Sequence, residues 1–257
     1  MADQSNTTDE FYVGYLPAPS RTVRFQRIVV PVLLLACGVA GIIAIRNHKS
    51  PGTGTWNLEE VIEIEGVVDT QPYAMIRVAA TEPSQPFQTI LLVSEGKFGA
   101  RDRAAPYRGQ AVRIRGTILS REGRRLVELI SADDAIMPLS DAALANLKRP
   151  IAGVIESVTL KGEIIDPKCY FGAMKPGEGK AHKECATLCI SGGIPPMFLT
   201  RNSAGDAQFY LLADQNGNAV GNGILPYVAD AVQIPGTVER LGDILVFKID
   251  PQQIQRL

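Results

Sequence analysis

Ala111-Val112-Arg113-Ile114-Arg115-Gly116-Thr117-Ile118 alternates apolar and polar side chains before it reaches a glycine. The same frame returns as Ala231-Val232-Gln233-Ile234-Pro235-Gly236-Thr237-Val238, with A-V-x-I-x-G-T kept in place. Alternation of this kind is the period of a half-buried β-strand. Its return marks a duplicated unit of roughly 100 residues, too long for a solenoid repeat. Working outward, Gly66-Val67-Val68-Asp69 is echoed by Gly162-Glu163-Ile164-Ile165-Asp166, and a closing strand from Leu126 to Ile130 by one from Asp243 to Ile249. In the first half Val61, Ile62 and Ile64 lead into Gly66, and Ala74–Val78 and Thr89–Val93 supply two more short strands.

Short Val- and Ile-rich strands parted by Gly, Pro and charged turns predict a mainly β fold. A glycine inside the first and fourth strands permits the coiling that a small barrel needs. The expected architecture is two tandem barrels of the oligonucleotide/oligosaccharide-binding (OB) type, over 57–148 and 149–257. A sandwich is the other arrangement this pattern admits. The boundary falls where Ser140 caps a brief helix over 141–148 and Pro150 stops it.

Upstream, Ile28 to Ile45 reads IVVPVLLLACGVAGIIAI without a charge. At about 1.5 Å per residue that run spans roughly 27 Å, close to the hydrocarbon thickness of a bilayer. It predicts a transmembrane helix over 28–45, with Pro31 in its first turn, an arm over 1–27 and a linker over 46–56. Arg21, Arg24 and Arg27 precede the run; Arg46 and Lys49 follow it. The positive-inside rule keeps the arm cytoplasmic and exports everything after Arg46, placing the chain in a bacterial inner membrane with its barrels in the periplasm. The run ends in Arg46-Asn47-His48-Lys49 without a small-residue cleavage site, which argues against a cleaved signal. Leu34-Leu35-Ala36-Cys37 resembles a lipobox, but the chain after Cys37 stays apolar, so Cys37 reads as a small residue within the helix.

Composition narrows the function. The 257 residues carry a net charge of -1, with 46% hydrophobic and 21% charged residues. No basic excess exists for phosphate neutralisation, so no nucleic-acid partner is expected. The chain is too apolar for disorder, and its 4 cysteines are too few for a disulfide scaffold.

The halves differ most over 167–196, PKCYFGAMKPGEGKAHKECATLCISGGIPP, which carries Cys169, His182, Cys185 and Cys189. A helix from Lys180 to Ile190, ended by Gly192-Gly193, sets His182, Cys185 and Cys189 at i, i+3 and i+7, within about 60° of one face. Cys169 folds over that face from the preceding strand end. Three thiols and an imidazole make a tetrahedral metal site, suited to zinc or to Cu(I). An oxidising compartment offers another outcome, a disulfide of Cys169 with Cys185 or Cys189 that leaves one thiol over. A third is that the thiols pack as small hydrophobes while His182 meets solvent. The chain shows no P-loop, C-x-x-C, G-x-S-x-G or H-E-x-x-H pattern, and no catalytic set is assigned.

Gly162-x-x-x-Asp166-x-x-Cys169, His182-x-x-Cys185-Ala186-x-x-Cys189 and Gly192-Gly193 together resemble an uncharacterised family of exported bacterial OB-like domains. The resemblance covers 151–257. It implies a bacterial source and an exported small barrel, and it implies no activity. The expected role is a non-catalytic accessory or assembly subunit, docked from the bilayer onto a larger membrane-protein complex, with a redox complex among the candidates. The alternative is a metal-binding or thiol-redox protein that uses Cys169, His182, Cys185 and Cys189 directly.

Overall fold

The computed structural model describes residues 19–47, 54–80, 87–140, 147 and 150–257. The chain forms two compact units, 1–50 and 51–257. The expected helix over 141–148 lies outside the described residues, apart from Leu147.

In the first unit, α1 (Ser20–Asn47) is a helix of 28 residues with none buried. Its most apolar window has a mean hydropathy of 2.9, so it is long and apolar enough to cross a membrane. It starts earlier than the apolar run at Ile28, because nothing between Ser20 and Arg27 breaks a helix. Pro31 is therefore interior and not in the first turn. There it removes the N–H that would meet the Arg27 carbonyl, a cause of bending. At about 1.5 Å per residue the helix extends roughly 42 Å, enough for both hydrocarbon and headgroups.

The second unit begins with β1 (Thr55–Asp69), β2 (Met75–Ala79) and β3 (Phe87–Val93). The short helix α2 (Arg101–Ala104) leads to β4 (Ala111–Arg121), β5 (Arg124–Leu129) and β6 (Ile136–Pro138). The second half repeats the order with β7 (Gly153–Ile165), β8 (Met197–Arg201), β9 (Ala207–Asp214), β10 (Ala231–Leu241), β11 (Ile244–Ile249) and β12 (Gln255–Arg256). The helix α3 (Lys183–Ser191) lies between β7 and β8.

Each half is a closed five-stranded barrel. The first runs β1-β2-β3-β5-β4 and closes by pairing β4 with β1; the second runs β7-β8-β9-β11-β10 and closes on β7. Among the described strands, β3 pairs with β5, and β9 with β11, in parallel. The registers coincide: Gly66 stands opposite Val112 as Gly162 does opposite Val232, and Met75 faces Leu91 as Met197 faces Leu211. The strand glycines are where chains cross closely. A Cβ on Gly116 would lie 2.3 Å from the Glu128 carbonyl oxygen, and one on Gly236 would lie 2.4 Å from that of Lys248.

Among the described residues, alternation along the strands fills three large cores and one small one. Ile76, Leu92 and Ile114 pack inside the first barrel; Phe198, Leu212 and Phe247 pack inside the second. Their neighbours Met75, Leu91, Met197 and Leu211 point the other way and meet one another, with Tyr170 and Phe171, in a core between the barrels. The halves thus join through the same face of each.

Candidate metal centre

The segment after β7 is set by Asp166. Its Oδ1 accepts the Lys168 amide at 2.9 Å, and its carbonyl accepts the Tyr170 amide at 3.0 Å. These bonds start a wide helical turn, Cys169–Ala173, that turns the Cys169 thiol into the core between the barrels. The helix expected over Lys180–Ile190 is split. A 3₁₀ turn spans Lys180–His182, and α3 follows. Cys185 and Cys189 lie one turn apart on α3, so both thiols face Cys169.

The sulfurs of Cys169, Cys185 and Cys189 all lie within 4.8 Å of one another. Cys169 and Cys185 are 3.9 Å apart. His182 does not join this group. The 3₁₀ turn takes it off the α3 face and sets it instead with Asp166 and Cys169, again within 4.8 Å of one another. Of the expected four ligands, the structure gathers the three thiols in one triad and places His182 in a second, and Cys169 belongs to both.

The other two readings of the cluster fare differently. All the described cysteines are free, and 3.9 Å is a non-bonded sulfur contact, against the roughly 2.05 Å of a disulfide. His182 is buried and its Nε2 has no partner among the described residues, so it is not a solvated side chain.

Two site residues escaped the sequence reading. Lys97 follows β3 in the first barrel, and its Nζ lies 2.9 Å from Cys185 Sγ and 3.5 Å from Cys189 Sγ. Nothing local in the sequence announces it. Asp166 was visible in the G-x-x-x-D motif but was given no ligand role there. Backbone contacts hold Lys97 in place. The Gly99 amide donates to the Gly192 carbonyl at 3.0 Å, and a Cβ on Gly192 would lie 1.9 Å from the Lys97 carbonyl oxygen. Gly192-Gly193 therefore ends α3, as expected, and also lets the first barrel approach the thiols. Lys168 crosses the other way, pairing with Glu128 of β5 and donating to the Ser94 carbonyl at 3.2 Å.

The electrostatics divide the thiols. A hydrogen bond from Cys169 pulls the Cys189 thiol below its usual range. Cys169 is pushed up, first by that same bond and then by burial. The bond to Cys185 holds Lys97 firmly protonated. Burial pushes His182 down, so its imidazole is neutral at pH 7, the form that binds metals. Comparison with family models, with curated proteins and with solved structures returns no match to this chain.

Proposed function

We propose that this chain is a membrane-anchored protein that holds a soft metal ion with Cys169, Cys185 and Cys189. Thiolates arranged tetrahedrally about zinc at about 2.3 Å stand roughly 3.8 Å apart. The 3.9 Å between Cys169 and Cys185 supports the reading most directly. Trigonal Cu(I) accepts the same three ligands. The Lys97 ammonium offsets part of the thiolate charge, and the neighbouring backbone contacts preorganise the site.

The barrels read as OB-like on their strand order and on the parallel pairing of third and fifth strands. The 167–196 segment then reads as a Cys/His insertion between the first and second strands of the second barrel. OB barrels bind oligonucleotides on the face of strands two and three. Met75 and Leu91 carry that face into the core between the barrels, which supports a role without nucleic acid. The arginine bias around α1 supports export of the barrels to the periplasm of a bacterial cell.

An accessory role in a larger membrane complex has its own observation. Leu58 and Val154, at matching positions before Gly66 and Gly162, are 63% and 69% exposed. Exposed apolar side chains at the starts of both long strands suit docking to a partner. Cross-linking the full chain in its own membranes, followed by purification, tests this; recovery of the chain alone would end it.

The metal reading is tested on the full chain in detergent, purified without chelator and assayed for zinc and copper. Bound metal is expected, and Cys185→Ser and Cys189→Ser should each hold less of it than the wild type. A wild-type chain that stays metal-free after incubation with either ion would overturn the proposal.

A further inference from the structure

We infer that the cluster holds two divalent ions, the second bound by Asp166, Cys169 and His182, with the Cys169 sulfur bridging the pair. The inference rests on the thiol-ligand reading above and extends it to a second site.

The first support is the partition of the ligands. Two triads, each within 4.8 Å internally, share Cys169 alone. One tetrahedral ion bound by three thiols and His182 would need all four atoms in one group, and they do not form one. A sulfur common to two triads is the position of a bridging ligand. Thiolate can bridge because it keeps lone pairs after binding one ion.

The second support is that the second triad has buried polar atoms without partners. Asp166 is fully buried and His182 nearly so. Asp166 Oδ1 is used by the Lys168 amide, but among the described residues Asp166 Oδ2 and His182 Nε2 have no hydrogen-bond partner. A buried carboxylate oxygen and imidazole nitrogen left so are costly unless they coordinate something.

The third support is charge. Asp69, which holds in the first barrel the register position of Ile165, takes the Arg77 guanidinium at 3.0 Å. Asp166, one residue further along the second barrel, leaves Oδ2 without a hydrogen-bond partner among the described residues. A bound ion supplies the missing charge.

Three thiolates and one carboxylate carry four negative charges and His182 adds none, so two divalent ions balance the ligands, with the Lys97 ammonium beside them as one further positive charge. Each ion has three protein ligands and one open position, with a separation of about 3.5–4 Å expected for a bridged pair.

The test is zinc stoichiometry on the full-length chain in detergent, measured by native mass spectrometry, together with cobalt(II) titration of the thiolate charge-transfer band. Two ions per chain and a titration break at two equivalents are expected. Asp166→Asn and His182→Ala should each leave one ion, Cys185→Ser should leave one, and Cys169→Ser should lose both. The two second-triad variants serve as each other's folding control, with far-ultraviolet circular dichroism recorded for both. One ion in the wild type that is lost in Cys185→Ser overturns the second site and leaves the thiol reading standing; one ion that is kept in Cys185→Ser and lost in His182→Ala overturns the thiol reading. No ion in the wild type overturns both.

Discussion

Lys97 Nζ lies 2.9 Å from Cys185 Sγ, although the two residues belong to different barrels. The ammonium meets the Cys185 sulfur across the seam, and a cation beside a sulfur raises its reactivity; Cys185 is half-buried, whereas Cys169 and Cys189 are buried. Lys97 is itself half-buried, so solvent screening limits the effect to about 1 kcal/mol, roughly fivefold in reactivity. In metal-free, reduced protein, Lys97→Met should slow alkylation of Cys185 by about that factor at neutral pH. Peptide-resolved mass spectrometry reads the rate; an unchanged rate would remove Lys97 from the site.

The two strand-end aspartates make opposite predictions. Arg77 and Asp69 are a buried pair, each with 5% of its side chain exposed. Removing the cation in Arg77→Met strands a buried carboxylate and should cost about 3–5 kcal/mol. Asp166 Oδ2 has no partner among the described residues, so Asp166→Asn should raise the stability of the metal-free protein while it lowers metal content. Urea unfolding in chelator measures both. A destabilised Asp166→Asn would mean that the carboxylate is already satisfied without metal.

The duplication was legible because A-V-x-I-x-G-T fixes both a strand period and a glycine, and both recur at equal register around Gly116 and Gly236. Strands β8 and β9 were not named from sequence. Met197-Phe198-Leu199 is buried on both faces, one toward the barrel and one toward its twin, so no alternation shows. The thiols were legible as a cluster. Their partition was not, since it depends on a 3₁₀ turn at Lys180–His182 that a helical wheel cannot register. Lys97 was out of reach altogether, because its role comes from the packing of one half on the other.

Gly192 tests that packing. A Cβ there would meet the Lys97 carbonyl oxygen at 1.9 Å, and this is backbone that cannot rotate aside. Gly192→Ala should destabilise by about 1–3 kcal/mol and also lower metal affinity, since the loop that carries Lys97 must move. Gly123, at φ 74 with open space around its Cβ position, is the control. Gly123→Ala should cost about 1 kcal/mol through backbone strain alone and leave metal binding intact. Thermal melts and metal titrations on both variants decide the matter; equal effects on metal would sever the seam from the site.

Acid should loosen the helix that carries the thiols. Asp230 receives Lys183 Nζ, from the first residue of α3, at 2.7 Å, and Arg256 Nε, from β12, at 2.9 Å. The Lys183 bond, then the Arg256 bond, hold its carboxyl below the usual carboxylate range. A carboxyl depressed in the folded state binds its proton more readily in the unfolded chain, whose value lies near 3.9. Its contribution to stability is therefore complete above the unfolded value and is lost as pH falls through the folded one. Asp230→Asn should be less stable than the wild type at pH 7, with the gap constant down to about pH 5 and closing below about pH 4. Urea midpoints of the metal-free protein at intervals from neutral to acid pH measure the gap. A gap that persists unchanged into acid would assign the loss to packing and would free α3 from this ion pair.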